Sequence, residues 1–513
     1  MSNYFVGIDI GCGGAKACII DDEGNVIGYG FKEHKIVVSH GTWSETDPDE
    51  YWGNIGNIIT SVIRTSHLEI RNIRAVSVSS AVPAIVMIDE NGGVLNKAYN
   101  FLDTRAAETA EELKGIVGEK QCFDISGFNI DEQSTATSIL WEKQNRPRDY
   151  GRIHKVLTPD AYVTFRLTGR TVVNYSAGNF YGPIFDIHKK RFDEAMCSKL
   201  GIDMAILPEV FPCEEVVGEV TKEAAAQTGL LAGTPVIAGT VDAFAGWLAG
   251  GATEPGEMQL NLGTAAVLGV VTGKANFVEK LWNCVYPVDS RNSYVIFGST
   301  TTGGYVMRNL RDNFSAYERF VEASSGYDAY DLLNLDAGKT KPGADLLITL
   351  PHFMGARTPE FNCNARGVVF GWGMNHKKGH LIRSMMEGVA MSAYCQYMAM
   401  QKHGIEMKGP VVMNEGGAKS RLWRRIFTDV FDRPTVMLEN RTGAPYGDAI
   451  LAGVSTGWLP DFGVAKQWAN YVDYMEPDPK THSLYMEIFE IYQSVYEHLQ
   501  EDYDKLAKLS RKL

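Results

Sequence analysis

Asp9 stands inside an apolar run, "YFVGIDI", and three glycines follow it within "GCGG" at 11–14. A carboxylate in such a strand is costly unless something pairs with it. Glycines supply the positive φ of a tight hairpin and expose backbone N–H groups that nest phosphate oxygens. Asp9 would then hold a Mg²⁺ ion, directly or through water, that bridges to those phosphates. A second acid, Asp242, lies in "GTPVIAGTVDAFAGWLAGG" (233–251), where an apolar strand ends and small residues open a helix. A carboxylate at a strand end beside a domain junction lines a cleft, although a helix N-cap is the plainer alternative. Phosphoryl transfer to an alcohol wants such an acid to accept the hydroxyl proton. A third stretch, "EGGAKS" (415–420), breaks an apolar strand before an amphipathic helix. Its paired glycines let the backbone approach a flat ligand, and a helix start favours anionic groups; an ordinary βα loop is the alternative.

Strand–turn–strand units must position these groups. "YFVGIDI", "AKACIID" and "NVIGYGF" read as strands, and the pattern returns near 258 in "MQLNLGTAAVLGVVTG", after the Gly/Pro-rich "GGATEPGE". The segment "GCGGAK" is not GxxxxGK[ST], and it does not open a helix as GxGxxG must. Helical spacing follows in "HLIRSMMEGVAMSAYCQYMAM" (380–400). In 483–506 the stripe Leu484, Ile488, Ile491, Val495 and Leu499 predicts one core-packed helix. Two α/β domains with a cleft between them result.

The chain has 513 residues, enough for two or three domains. Its net charge of −13 argues against nucleic-acid or anionic-membrane partners. Eight scattered cysteines without a CxxC pair, no basic leader and no membrane-length apolar span predict a reduced, cytoplasmic protein. The pair in "HKKGH" (376–380) lacks further ligands at metal spacing and reads as a solvated loop. Trp247 and Trp372 read as packing residues.

In order along the chain, several blocks together resemble one family. "GIDIGCGGAK", "WSETDPDEYW", "FLDTR", "PDAYVTFRLTG", "NYSAGNFYGPIFD", "GTVDAFAG", "NLGTAA", "PHFMGARTPEFNCNARGVVFGW" and "EGGAKSRLW" resemble the FGGY carbohydrate kinases, in their xylulokinase-like version. The resemblance implies an α/β fold of two ribonuclease-H-like domains of the actin/hexokinase/Hsp70 superfamily, with an interdomain active-site cleft. It implies an N-terminal domain over 1–250, a C-terminal domain over 251–460 and a helical extension over 461–513. It further implies ATP held by Gly11, Gly13, Gly14, Lys16, Gly263, Thr264, Gly304, Gly416, Gly417 and Ala418, with Mg²⁺ near Asp9. A sugar, sugar acid or polyol would sit near Ala81, Val82, Pro83, Phe101, Asp103 and Arg105, with Asp242 as general base. A structural ion pair is the alternative for Asp103 and Arg105. A homodimer is expected, since family members are often dimers.

There are departures. Cys12 and Gly13 replace the usual Thr/Ser positions, and Ser138 stands where Lys is frequent. "SAVPA" (80–84) replaces GQMHG, which removes a histidine donor to the acceptor and leaves an apolar wall. Losing a donor at a buried hydroxyl costs about 1–3 kcal/mol, which counts against D-xylulose itself. Two alternatives are a superfamily ATPase of the chaperone type and a catalytically weak sugar sensor.

Overall fold

The protein is described by a computed structural model covering residues 2–439 and 442–510. Its first sheet contains β1 (Tyr4–Gly11), β2 (Gly14–Asp21), β3 (Val26–Glu33), β4 (Ile73–Ser80), β5 (Val216–Glu219), β6 (Pro235–Ile237) and β7 (Thr240–Val241). Across the sheet the order is β5-β6-β4-β1-β2-β3, with β7 also pairing with β4. The first three strands are antiparallel neighbours, whereas β4 runs parallel to β1, and β6 and β7 run parallel to β4. A parallel return needs a crossover. Helix α1 (Pro48–Ser66) supplies one, started by Asp47, which accepts the Asp49 amide, and by proline in the first turn. Its apolar face, including Tyr51, Ile55 and Ile59, is buried.

Helix α2 (Asp242–Ala249) then leads into a second sheet. This contains β8 (Glu257–Leu262), β9 (Ala266–Thr272), β10 (Trp282–Val285), β11 (Tyr294–Ser299), β12 (Lys408–Asn414), β13 (Thr435–Leu438) and β14 (Tyr471–Met475). The order is β10-β11-β9-β8-β12-β13-β14. Again an antiparallel opening, β8 to β9 to β11, meets parallel strands β12 and β13 on its other side. Helix α3 (Gly304–Phe314) follows β11, and the single turn α4 (Glu415–Ala418) follows β12. Helix α5 (Ala444–Ser455) follows β13.

Helices α2 and α5 cross between the lobes. Helix α5, from the second half of the chain, rests on the first sheet so closely that a β-carbon at Gly7 would strike the Pro445 carbonyl. Helix α2 meets α5 where a β-carbon at Gly447 would strike the Ala245 carbonyl. From α2, the Trp247 ring covers Gly269 of the second sheet, and its Nε1 donates to Asn261 Oδ1 at 3.1 Å. Phe244 and Trp247 both meet Phe297 edge to face. One apolar core therefore runs through both lobes, from Phe5 through Trp247 and Phe297 to Leu451.

Two local expectations are revised. The stretch 483–506 forms two helices, Pro479–His498 and Gln500–Ser510, and its buried face is Tyr485, Ile488, Phe489, Tyr492 and Tyr496. Ile491 is left exposed. Aromatic rings bury more area than aliphatic side chains, so the tyrosine face wins the contact, and Tyr485 also donates its hydroxyl to buried Glu387 at 2.8 Å. Trp372 is 56% exposed rather than packed. No helix of the described residues is long and apolar enough to cross a membrane.

Candidate functional site

The first hairpin sets Asp9 directly opposite Lys16 in register. Lys16 Nζ donates to Asp9 Oδ2 at 2.8 Å, and the carboxylate raises the ammonium's proton affinity further. This partner is what makes a charge tolerable in a strand where Asp9 is 1% exposed. Asp9 Oδ1 is buried and has no protein hydrogen-bond partner.

The hairpin's glycines are there for a different reason from the one expected. Gly11, Gly13 and Gly14 do not hold positive φ. At Gly14 the requirement is space, because a β-carbon would strike the Phe31 ring and the Lys32 carbonyl, whereas Gly13 faces open space. His34, which the sequence did not single out, ties the turn's carbonyls. Its Nε2 lies 2.9 Å from the Gly11 oxygen and 3.0 Å from that of Cys12, and its amide donates to the Gly13 oxygen at 3.3 Å. Burial lowers the imidazole's proton affinity, and two carbonyls can only accept, so the neutral ring carries its hydrogen on Nε2.

Asp242 comes to the same edge. Strand β7 pairs Thr240 with Ser79 and Val241 with Ser80, so Asp242 follows just where β4 runs out into Ala81, Val82 and Pro83. The Ala81 amide in turn donates to the Ile10 oxygen at 2.9 Å, which sets this segment beside the hairpin. Asp242 is half-buried and accepts the adjacent Ala243 amide at 2.6 Å, one residue along rather than the two or three of an N-cap. Burial and then the nearby Asp9 charge push its carboxyl up to about 7, against the pull of Lys16. A base poised near neutrality is suited to taking a hydroxyl proton.

Two buried acids brace this edge. Asp160, from the "PDAYVTFRLTG" block, accepts Ser80 Oγ at 2.7 Å and Asn174 Nδ2 at 2.8 Å, which fixes the end of β4. Asp448 on α5 accepts Ser79 Oγ at 2.6 Å and is fully buried, so desolvation pushes its carboxyl well up. Asp448 was missed by sequence reasoning; the available signal was one acid in the small-residue run "YGDAILAG".

The second lobe offers a matching turn. Gly263 and Thr264 lie between β8 and β9, and their carbonyls accept the amides of Gly304 at 2.6 Å and Gly303 at 2.7 Å. Gly304 spends its amide on the turn and so braces the start of α3, while staying partly exposed beside it. Gly417 packs on Leu262, where a β-carbon would collide, which brings α4 over this turn. Gly416 faces open space, whereas Ala418 is buried and its carbonyl accepts from Arg424, so the surface expected from three residues reduces to Gly416 and Gly417. Glu415 lays its carboxylate against Gly263; burial pushes that carboxyl up against the pull of Lys16, and its charge opposes ionisation of Asp242. The two turns therefore face each other with Asp9, Lys16 and Asp242 between them.

Asp103 and Arg105 form the ion-pair alternative. Both Asp103 oxygens are filled, Oδ1 by Arg105 Nε at 2.8 Å and its amide at 3.0 Å, Oδ2 by Arg105 Nη2 and the Ser44 amide at 2.7 Å each. Arg105 also reaches Glu45 at 2.8 Å and stacks over Tyr99 and Trp43. Asp103 is therefore a scaffold rather than a free ligand; Arg105 Nη1 alone of this pair is buried without a hydrogen-bond partner. Phe101 is half-buried in the preceding turn. His376 and His380 of "HKKGH" accept the Gly373 and Lys377 amides and so serve as local caps.

Comparison with known proteins matches residues 4–249 to the N-terminal domain of the FGGY family of carbohydrate kinases and residues 258–456 to its C-terminal domain. The chain is 26% identical over 509 residues to the xylulose kinase of Bacillus subtilis, covering 97% of each. It is 27% identical over 516 residues to the gluconokinase of the same organism, covering 100% of this chain and 99% of the other. The crystal structure of xylulose kinase from Rhodospirillum rubrum superposes with a TM-score of 0.89 at 25% identity, covering 98% of this chain and all of that one.

Proposed function

The chain belongs to the FGGY family of carbohydrate kinases, and from that premise we propose how its site transfers a phosphoryl group from ATP to a hydroxyl of a small sugar, sugar acid or polyol. The observation that carries the reading is the meeting of Asp9, Lys16 and Asp242 between two turns whose carbonyls are tied away. The amides of Gly11–Gly14 and of Gly263–Thr264 receive the triphosphate, with Lys16 as its cation. The nucleoside end lies along Gly416 and Gly417. The acceptor sits against Ala81, Val82 and Pro83, where Asp242 takes its hydroxyl proton. That oxygen bonds to the terminal phosphorus as the bond to the ADP oxygen breaks.

Mg²⁺ fits this site as an ion held chiefly by phosphates and water. Asp9 Oδ1 is a buried acceptor without a protein partner, while among the described residues no three His, Cys, Asp or Glu side chains converge as a cage. When bound, the ion neutralises charge developing on the transferred group.

The named relatives point to pentuloses and aldonates as acceptors, and the apolar "SAVPA" wall favours an acceptor that asks for no histidine donor there. ADP release measured against a panel of ketoses, aldonates and polyols tests the reading. Acceptor-dependent release that disappears in Asp242→Asn is expected. ATP hydrolysis indifferent to every acceptor would instead favour an ATPase. We also propose a dimeric assembly in the cytoplasm, which light scattering and cell fractionation test.

A further inference from the structure

Glu415 holds φ at +71°, a left-handed conformation that glycine adopts freely and a side chain adopts at a cost. Strain of this kind gathers at ligand clamps and switch regions, where the surroundings enforce it. Here the turn after β12 carries the side chain across to Gly263, and a β-carbon on Gly263 would collide with the Glu415 carboxylate. The bare α-carbon of Gly263 is therefore the floor on which that carboxylate rests. Gly417, two residues on, is pressed to Leu262 in the same way and fixes α4 above the turn. The floor belongs to the Gly263–Thr264 turn, whose carbonyls are bonded within the protein and whose amides would meet donor phosphates. Burial pushes the Glu415 carboxyl up, and Lys16, the cation of the opposite turn, pulls it back toward the charged form.

An anion of the protein thus lies where an anion of the donor must go. We propose that Glu415 sets donor affinity: its carboxylate occupies the phosphate floor on Gly263 in the empty cleft, must leave it for a nucleoside polyphosphate to seat, and on returning speeds departure of the diphosphate product. This inference rests on the kinase reading above and deepens it.

Calorimetric titration with ADP and magnesium compares wild type with Glu415→Gln and Glu415→Ala, which both keep a side chain in the left-handed position but remove the charge. Removing a like charge a few ångströms from the phosphates should tighten ADP binding by about fivefold or more. In steady state KM for ATP should fall in both variants while KM for the acceptor stays put, a split that a merely structural role would not produce. Glu415→Gln is nearly isosteric, so it reports even if the alanine variant folds poorly. Equal or weaker ADP binding by the variants, with wild type binding well, overturns the inference and leaves the kinase reading intact. Absence of ADP binding in wild type and variants alike removes the donor site itself, and the inference falls with it.

Discussion

Lys16 faces Asp9 squarely across the first hairpin, its Nζ 2.8 Å from Oδ2, and it is the only ion-pair partner Asp9 has among the described residues. The pair sits on one side of a cleft whose other side carries Glu415 and Gly263, so one ammonium serves a buried carboxylate and a prospective polyphosphate together. Removing Lys16 leaves buried Asp9 without its counter-charge.

Lys16→Met should therefore cost stability as well as donor binding. A buried charge stripped of its partner costs about 3–5 kcal/mol, and Asp9 is the buried member. Thermal melts should show the loss in Lys16→Met and a partial recovery in Lys16→Met/Asp9→Asn, where no charge is stranded. ADP affinity should fall in both. A double variant no more stable than the single would mean that the pair does not carry the hairpin.

Asp242→Asn should fold and bind ADP within about threefold of wild type, yet lose about 10²–10⁴-fold in phosphoryl transfer, the range of a general base. Calorimetry and acceptor-dependent ADP release separate the two effects. The wild-type pH profile follows from the carboxyl held at about 7: kcat/KM should fall below that pH as the base protonates. Stability runs the opposite way. A carboxyl whose folded proton affinity exceeds the unfolded value contributes fully at low pH and loses that contribution as pH rises through about 7. Asp242→Asn should thus gain Tm over wild type at pH 8 and lose that gain by pH 4.

How far these groups were legible depends on whether each one breaks a local rule. Asp9 did, as a charge in a β-branched strand, and so did the glycine run beside it. Their purpose was misjudged, because space around Phe31, not φ, demands Gly14, and that crowding comes from the neighbouring strand. Asp448 is an equal anomaly only in three dimensions, since one acid per helix is ordinary in sequence and its partner Ser79 lies on a distant strand. His34 is invisible for the same reason: its hydrogen bonds return to a turn more than twenty residues earlier. The C-terminal stripe does pack on the core through Ile488, Leu484, Val495 and Leu499, but the deepest positions lie about one residue round, because spacing alone ranks Leu and Ile with Tyr, whereas packing against Tyr394 and Glu387 prefers the rings. The two sheets were readable because each opens on a strand–turn–strand unit with strong alternation.

Glu415→Gly isolates the backbone cost at that position. Releasing a left-handed side chain should raise stability by about 1 kcal/mol, and chemical denaturation should show a higher midpoint at unchanged slope. Glu415→Ala keeps the conformation and should show no such rise. Equal midpoints for the two variants would place the strain elsewhere.

Gly447→Ala tests the crossing of α2 and α5, on which the position of Asp242 depends. A methyl there meets the Ala245 carbonyl, which is backbone and cannot swing aside, so α2 must shift. Overpacking of this sort costs about 1–3 kcal/mol, and Asp242 opens the displaced helix. Tm should fall, and kcat should fall more than KM for ATP rises, since the base moves while the donor turns stay on their own strands. Gly7→Ala, which strikes the Pro445 carbonyl on the far side of α5, should cost similar stability. Its effect on kcat should be smaller, because its clash falls on α5 itself and reaches α2 only through that helix. If Gly447→Ala were to lower Tm and leave kcat untouched, the crossing would support the fold without setting the base.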